Sequence, residues 1–261
     1  MFGIPETMVD IRVRSREYRL AGWFRDAGNE LILFLHGLGC SKDNWRDAWA
    51  VRALRDKSLL SIDFLGFGRS PRPTHFGYTL EDHAAVLAAV IDSHALKRIH
   101  VVAHSMGGTV ALLLPPRTLS RLSSLILVEA RLSKSSCGIA AEAVNFTLEE
   151  FISRQFSRIQ RRISTDARLE YDLKRADPAA FYRSACSLVD WTRGSKMLEK
   201  FDSVPCSKLF VYGSDNRFLE EVGEIRAELI AGIRESGHFV MHDNPEDFYQ
   251  RVIATVSGES E

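Results

Sequence analysis

Ile99-His100-Val101-Val102-Ala103-His104-Ser105-Met106-Gly107-Gly108-Thr109-Val110-Ala111-Leu112 sets a single serine between an apolar run and a helix start. Val101 to Ala103 reads as the end of a buried parallel strand, and Gly107 to Leu112 as the first turns of a helix. A chain that passes from strand to helix in so few residues must turn sharply. Small residues two before and two after the apex let the turn close, and Ala103 and Gly107 occupy those places. This is the geometry of a nucleophile elbow, which lifts the Ser105 hydroxyl clear of the sheet and aims a helix N-terminus at it.

A serine hydroxyl is a weak nucleophile at neutral pH. It needs a base, a group that orients the base, and donors for the oxyanion that follows attack. His238 is the expected base: Gly237-His238-Phe239 follows the apolar run Leu229 to Ile233 and precedes Asn244-Pro245-Glu246-Asp247, a well-formed helix start. A histidine on a loop after the last strand can swing over the strand ends, whereas His75, His83, His94, His100 and His242 read as surface or core residues. Leu35-His36-Gly37-Leu38-Gly39 supplies a loop that can turn the Leu38 amide inward, and the Met106 amide comes from the elbow. His36 reads as a brace for that loop. Two carboxylates follow strands at the correct edge, Glu129 after Leu125 to Val128 and Asp215 after Lys208 to Tyr212, and either keeps the order serine, acid, histidine.

Around this constellation the chain alternates strand and helix, as a mostly parallel α/β sheet flanked by helices requires. Met8 to Val13 and Tyr18 to Phe24 read as two antiparallel strands, Leu31 to Leu35 and Leu59 to Asp63 as buried ones. Thr79 with Asp82 opens a helix, and Pro115-Pro116 closes the one after the elbow. Residues 131–206 break the alternation. Thr147-x-x-Glu150 leads into Ile152, Phe156, Ile159 and Ile163 at helical spacing, and Asp177-Pro178 starts another helix. We therefore expect a core of residues 1–130 and 207–261 with a helical lid insertion, 131–206. Arg154, Arg158, Arg161 and Arg162 form its solvated side. Phe34, Trp45, Phe76, Phe151, Phe156, Phe181, Tyr182 and Trp191 are available to an apolar pocket, though most read as core.

Composition narrows the class. The chain has 261 residues, 45% hydrophobic and 26% charged, with 34 basic and 34 acidic residues and hence no formal net charge. With the basic residues spread along the chain, nothing in that balance suggests nucleic acid or an anionic membrane as a partner, and neither is expected. Cys40, Cys137, Cys186 and Cys206 lie far apart without a CxxC pair and read as free thiols of a reducing compartment. The start Met1-Phe2-Gly3-Ile4-Pro5-Glu6 lacks the basic and apolar regions of a leader, so a cytoplasmic location is expected. His100/His104 and His238/His242 have a metal-like spacing, but the first pair spans a strand and the second a loop, and no metal is expected. Gly66-x-Gly68 lacks the third glycine of a dinucleotide fingerprint, reads as a turn, and implies no cofactor.

With His36-Gly37-Leu38-Gly39, Asp63-Phe64-Leu65-Gly66-Phe67-Gly68-Arg69-Ser70, His104-Ser105-Met106-Gly107-Gly108 and Gly237-His238-Phe239 with Asn244-Pro245, the chain resembles the α/β-hydrolase superfamily over nearly its whole length. The resemblance is to lid-bearing serine hydrolases of small molecules. It implies attack by Ser105 on a carboxylic ester or thioester of a small, fairly apolar molecule. A carbon–carbon bond hydrolase with the same residues, or a non-catalytic ligand-binding receptor of this fold, are the alternatives. Two positions depart from the family pattern. The elbow opens with Ala103 where glycine is usual, and Asn216 stands where the acid is usual. A variant arrangement with the acid one strand earlier makes Glu129 the preferred acid over Asp215.

Overall fold

The computed structural model describes residues 6–94, 98–163 and 167–258. Among them one eight-stranded sheet runs through the chain: β1 (Glu6–Val13), β2 (Arg16–Arg25), β3 (Glu30–Leu35), β4 (Ser58–Ile62), β5 (Arg98–His104), β6 (Leu122–Val128), β7 (Ser207–Gly213) and β8 (Ile230–Ile233). The spatial order is β1-β2-β4-β3-β5-β6-β7-β8. β1 and β2 pair antiparallel, as do β2 and β4; every later pair is parallel.

Successive side chains of a strand face opposite ways, and the central strands spend both faces on core. In β3, Leu31, Leu33 and Leu35 join the cluster that includes the inner faces of α1 (Leu80–Ser93) and α2 (Met106–Leu112). Ile32 and Phe34 pack instead with Trp45 and with Phe248, Val252 and Val256 of the C-terminal helix Pro245–Ser257. β5 and β6 divide in the same way, Val101 and Leu127 on one side, Val102 and Ile126 on the other. The two layers of helices therefore clamp the strands, and the strand ends are left for loops. α1 opens as read from the sequence: Thr79 and Asp82 cap each other's amides reciprocally.

Between β6 and β7 the chain leaves the sheet. It forms helices at Gly138–Ala143, Phe156–Ile163, Ala167–Leu173, Pro178–Trp191 and Lys196–Ser203. The helix caps are where the sequence placed them: a capping box of Thr147 with Glu150, and Asp177 accepting from the Ala180 amide at 2.8 Å. One expectation is corrected here. Ile152, assigned to the apolar face, is 43% exposed, while Phe151 is fully buried. Residues Phe151–Gln155 form a π-turn. The wider turn displaces the apolar stripe by one residue, and Phe151 stacks on Phe181 at 5.7 Å. Arg154, Arg158, Arg161 and Arg162 are exposed. All four cysteines are free thiols, Cys40 and Cys137 buried. Among the described residues no helix is long and apolar enough to cross a membrane. The frayed tail expected at 257–261 lies partly outside the described residues.

Candidate active site

The loops at the carboxyl ends of the parallel strands carry the residues singled out above. At the tip of β5, Ser105 has φ 52° and ψ −122°, outside the helical and strand regions. Such a conformation costs about 1–3 kcal/mol and persists only where its surroundings hold it. Here the Ser105 amide donates to Val128 O at 2.8 Å, and Ser105 O accepts from the Gly108 amide at 3.0 Å. Two glycines permit the packing. A Cβ on Gly107 would stand 2.6 Å from His36 O, and one on Gly37 3.0 Å from Ser105 Cβ. Ala103, the departure from the usual glycine, sits buried in regular β5, in register with Leu35 and Leu127.

The loop after β3 lies against this elbow. The Cys40 amide donates to Gly37 O at 3.2 Å, which folds Leu38 and Gly39 into a tight turn. Met106 is the first residue of α2, whose leading amides have no acceptor inside the helix. His36 is fully buried; its Nε2 accepts from the Phe64 amide at 3.0 Å and its Nδ1 donates to Gly37 O at 2.8 Å. Burial holds its pKa below the ordinary value, as a neutral brace requires. The inserted helices reach the same loop: Asp172 accepts from Ser41 Oγ at 2.6 Å and from the Ser41 amide at 3.1 Å. Burial, reinforced by Asp43 and Asp63, outweighs those donors and pushes the Asp172 carboxyl up to about 7.

The two candidate acids part company. Glu129, directly after β6, has φ 49° and is 1% exposed. Its Oε1 accepts from the Gly213 amide at 2.8 Å, and its Oε2 lies 3.2 Å from His238 Nδ1. Asp215 lies in the one-turn helix Ser214–Asn216, its amide donating to Ser236 O at 3.0 Å. Among the described residues neither Asp215 nor Asn216 hydrogen-bonds the His238 ring.

Two residues bear on His238 that sequence reading did not single out. His104 Nε2 donates to the His238 carbonyl at 2.9 Å, and the two rings lie 4.5 Å apart. Arg131, two residues beyond Glu129, places Nη2 2.9 Å from Nδ1 and 3.1 Å from Nε2 of His238. Its Nη1 is 3.9 Å from Glu129 Oε2. Burial first, and then the Arg131 charge, hold His238 well below the ordinary imidazole pKa. One cation among many carries no positional signal in a sequence; only its closeness to Glu129 in the chain hints at this role.

Ser105, His238, Leu38 and Arg131 border one cavity of about 250 Å³. Its other walls are Gly37, Gly39, Cys40, His104, Phe239 and residues of the inserted segment, from Cys137 to Leu188. Of the aromatic residues considered for a pocket, Phe181 alone borders it; Phe34 and Trp45 belong to the core on the far face of the sheet.

A sequence model described as the alpha/beta hydrolase family matches residues 32–251. The chain belongs to that family. It is 38% identical over 116 residues to "Probable lysophospholipase BODYGUARD 4" of Arabidopsis thaliana, a match covering 44% of this chain and 27% of that protein. The matches to its three plant sister proteins cover 21% to 22% of their length, so the chain spans a minor part of these curated relatives. Among solved structures, the N-acyl homoserine lactonase AidH superposes with a TM-score of 0.76 at 16% identity, over 97% of each chain. An esterase from Thermogutta terrifontis does so with 0.73 at 20%, over 98% of this chain and all of that one. At such identities the likeness is one of fold.

Proposed function

We propose that this alpha/beta hydrolase cleaves a carboxylic ester or thioester of a small, fairly apolar molecule through an acyl-enzyme on Ser105. The observation that carries the reading is the buried Glu129 carboxylate 3.2 Å from Nδ1 of a histidine that shares a cavity with Ser105. Glu129 keeps the proton on Nδ1, which leaves the Nε2 lone pair for the serine proton. Ser105 Oγ attacks the carbonyl carbon, its proton passes to Nε2, and the oxyanion is held by the Leu38 and Met106 amides. The tetrahedral adduct collapses, and the leaving alkoxide or thiolate takes the proton from Nε2. Water then repeats the cycle, giving up its proton to Nε2 as it attacks the acyl carbon, and Ser105 departs reprotonated. Each amide of such a pair is worth about 3 kcal/mol in the transition state.

The helices of 131–206 act as a lid in this reading, since they roof the cavity from Cys137 to Leu188. A cavity of about 250 Å³ is in keeping with a small substrate.

Labelling with a fluorophosphonate probe tests the reading. Stoichiometric attachment to Ser105, absent in Ser105→Ala, and turnover of short p-nitrophenyl esters are expected. Folded protein that takes no label is a receptor and overturns the reading. Labelled protein that cleaves vinylogous diketones in place of esters is a carbon–carbon hydrolase. A preference for fatty acyl chains would bring the chain closer to the lysophospholipase of its plant relative's name.

A further inference from the structure

Among the described residues, Arg131 is the one permanently charged side chain bordering a cavity whose other walls are mostly apolar. Its side chain is 15% exposed, and among the described residues its hydrogen bonds run only from Nη2 to the His238 ring. Neither acid near it hydrogen-bonds the guanidinium among the described residues. Glu129 takes the Gly213 amide and His238, leaving the guanidinium at 3.9 Å; Glu221, buried in the short helix Glu220–Glu224, accepts from Ser133 Oγ at 2.7 Å through Oε2. A guanidinium offers five N–H donors in a planar fork that matches a carboxylate, and one buried without such a partner is left short of acceptors. Where it does donate, it obstructs. Its Nη2 crowds both nitrogens of the ring, 2.9 Å from Nδ1 and 3.1 Å from Nε2, where the serine proton has to be received. Accordingly no hydrogen bond joins Ser105 Oγ to His238 among the described residues.

We propose that Arg131 is a specificity-determining residue that selects esters bearing a carboxylate near the scissile bond. The carboxylate takes the guanidinium fork, draws Nη2 off the His238 ring and frees the base, so that the apolar body of the substrate lies against Phe181 and Leu173 while its anionic end meets Arg131. The inference rests on the hydrolase reading of Ser105, and its test separates the two.

Kinetics on two esters of equal chain length read it out: p-nitrophenyl pentanoate, which is neutral, and the mono-p-nitrophenyl ester of glutaric acid, which keeps one free carboxylate. The wild-type protein should prefer the glutarate ester at least tenfold in kcat/KM. Arg131→Gln should lose at least tenfold on that ester while gaining twofold or more on the neutral one, and Arg131→Lys should fall between. A wild type without the preference, or a ratio unmoved within twofold by Arg131→Gln, overturns the proposal, as does equal loss on both esters. Free glutarate supplies a readout without turnover: it should raise the melting temperature of wild type and of Ser105→Ala but not of Arg131→Gln. If wild-type protein takes no fluorophosphonate label yet glutarate stabilises it through Arg131, the hydrolase reading fails and the anion site stands. If label attaches and glutarate does nothing, the anion site fails alone.

Discussion

Ser105 and Glu129 end adjacent strands in the same unusual way, with φ of 52° and 49°. The Ser105 amide donates to Val128 O, and the Glu129 amide to Val211 O, each at 2.8 Å. Each turn is thus tied to the next strand across the sheet, and the spacing between hydroxyl and carboxylate is set by the backbone ladder rather than by flexible side chains. Such rigid placement is what a preorganised site demands.

Glu129→Gln tests the acid. Glutamine can still accept the Gly213 amide, but it brings no negative charge to hold the Nδ1 proton. We expect kcat on a short ester to fall by roughly three to four orders of magnitude, with the melting temperature little changed. Asp215→Asn should stay within about threefold of wild type. The opposite pattern makes Glu129 a strand-end brace and Asp215 the acid.

The pH profile follows from the environment of His238. Its pKa is depressed by burial and by Arg131, and the base works when neutral. The acid limb of kcat/KM should therefore lie well below the ordinary imidazole value of about 6.5. Arg131→Gln removes the smaller of the two causes and should move the limb upward by part of the shift. A wild-type limb at or above 6.5 would contradict this.

His83 makes acid stability measurable at one residue. It is fully buried among Phe64, Phe67 and Phe76, with burial lowering its pKa to about 3. The unfolded chain binds a proton near pH 6.5 that the fold refuses until about 3. Stability is thus unaffected above 6.5 and declines through this window as pH falls, by up to about 1.4 kcal/mol per pH unit for this group. Denaturant midpoints of His83→Gln against wild type between pH 7 and 4 should show a shallower slope in the variant. Parallel slopes would mean that His83 takes up its proton in the folded state.

Phe181 and Phe156 separate lining from support. Phe181 borders the cavity, while Phe156 packs edge-on against it at 5.5 Å without reaching the cavity. Phe181→Ala should shift preference toward longer acyl groups by about tenfold, the worth of one or two methylenes in a pocket. Phe156→Ala should cost about 3–5 kcal/mol of stability and move the preference far less. Equal effects on preference would place both in the pocket wall.

The fold was legible because its signals are local. The serine turn needs small neighbours, Thr79 and Asp82 sit at capping distance, and buried strands read as continuous apolar runs. The choice of acid was not, because Glu129 and Asp215 both follow strands and only their distance to His238 distinguishes them. That distance is tertiary. Ile152 went astray for a different reason: periodicity assumes a regular helix, and a π-turn at Phe151–Gln155 hands the buried place to Phe151. Most of the candidate pocket aromatics are core, as read, but which one lines the cavity was not legible because core and cavity wall share one composition. Arg131 offered no signal beyond its closeness to Glu129, since a buried cation looks like a surface cation until neighbours are known.

The pair of hydrogen bonds from Ser41 to Asp172 bears on how such proteins could diversify. A segment spliced between two strands looks like a cassette, exchangeable among relatives to change what is accepted while the remainder stays put. In this chain the cassette carries the carboxylate that anchors the loop holding Leu38. A graft of residues 131–206 lacking that carboxylate would strand a buried hydroxyl and amide and loosen the very loop facing Ser105. If the proposed function holds, selectivity and catalytic competence are inherited together, and a recombinant that trades one must bring along its own Asp172.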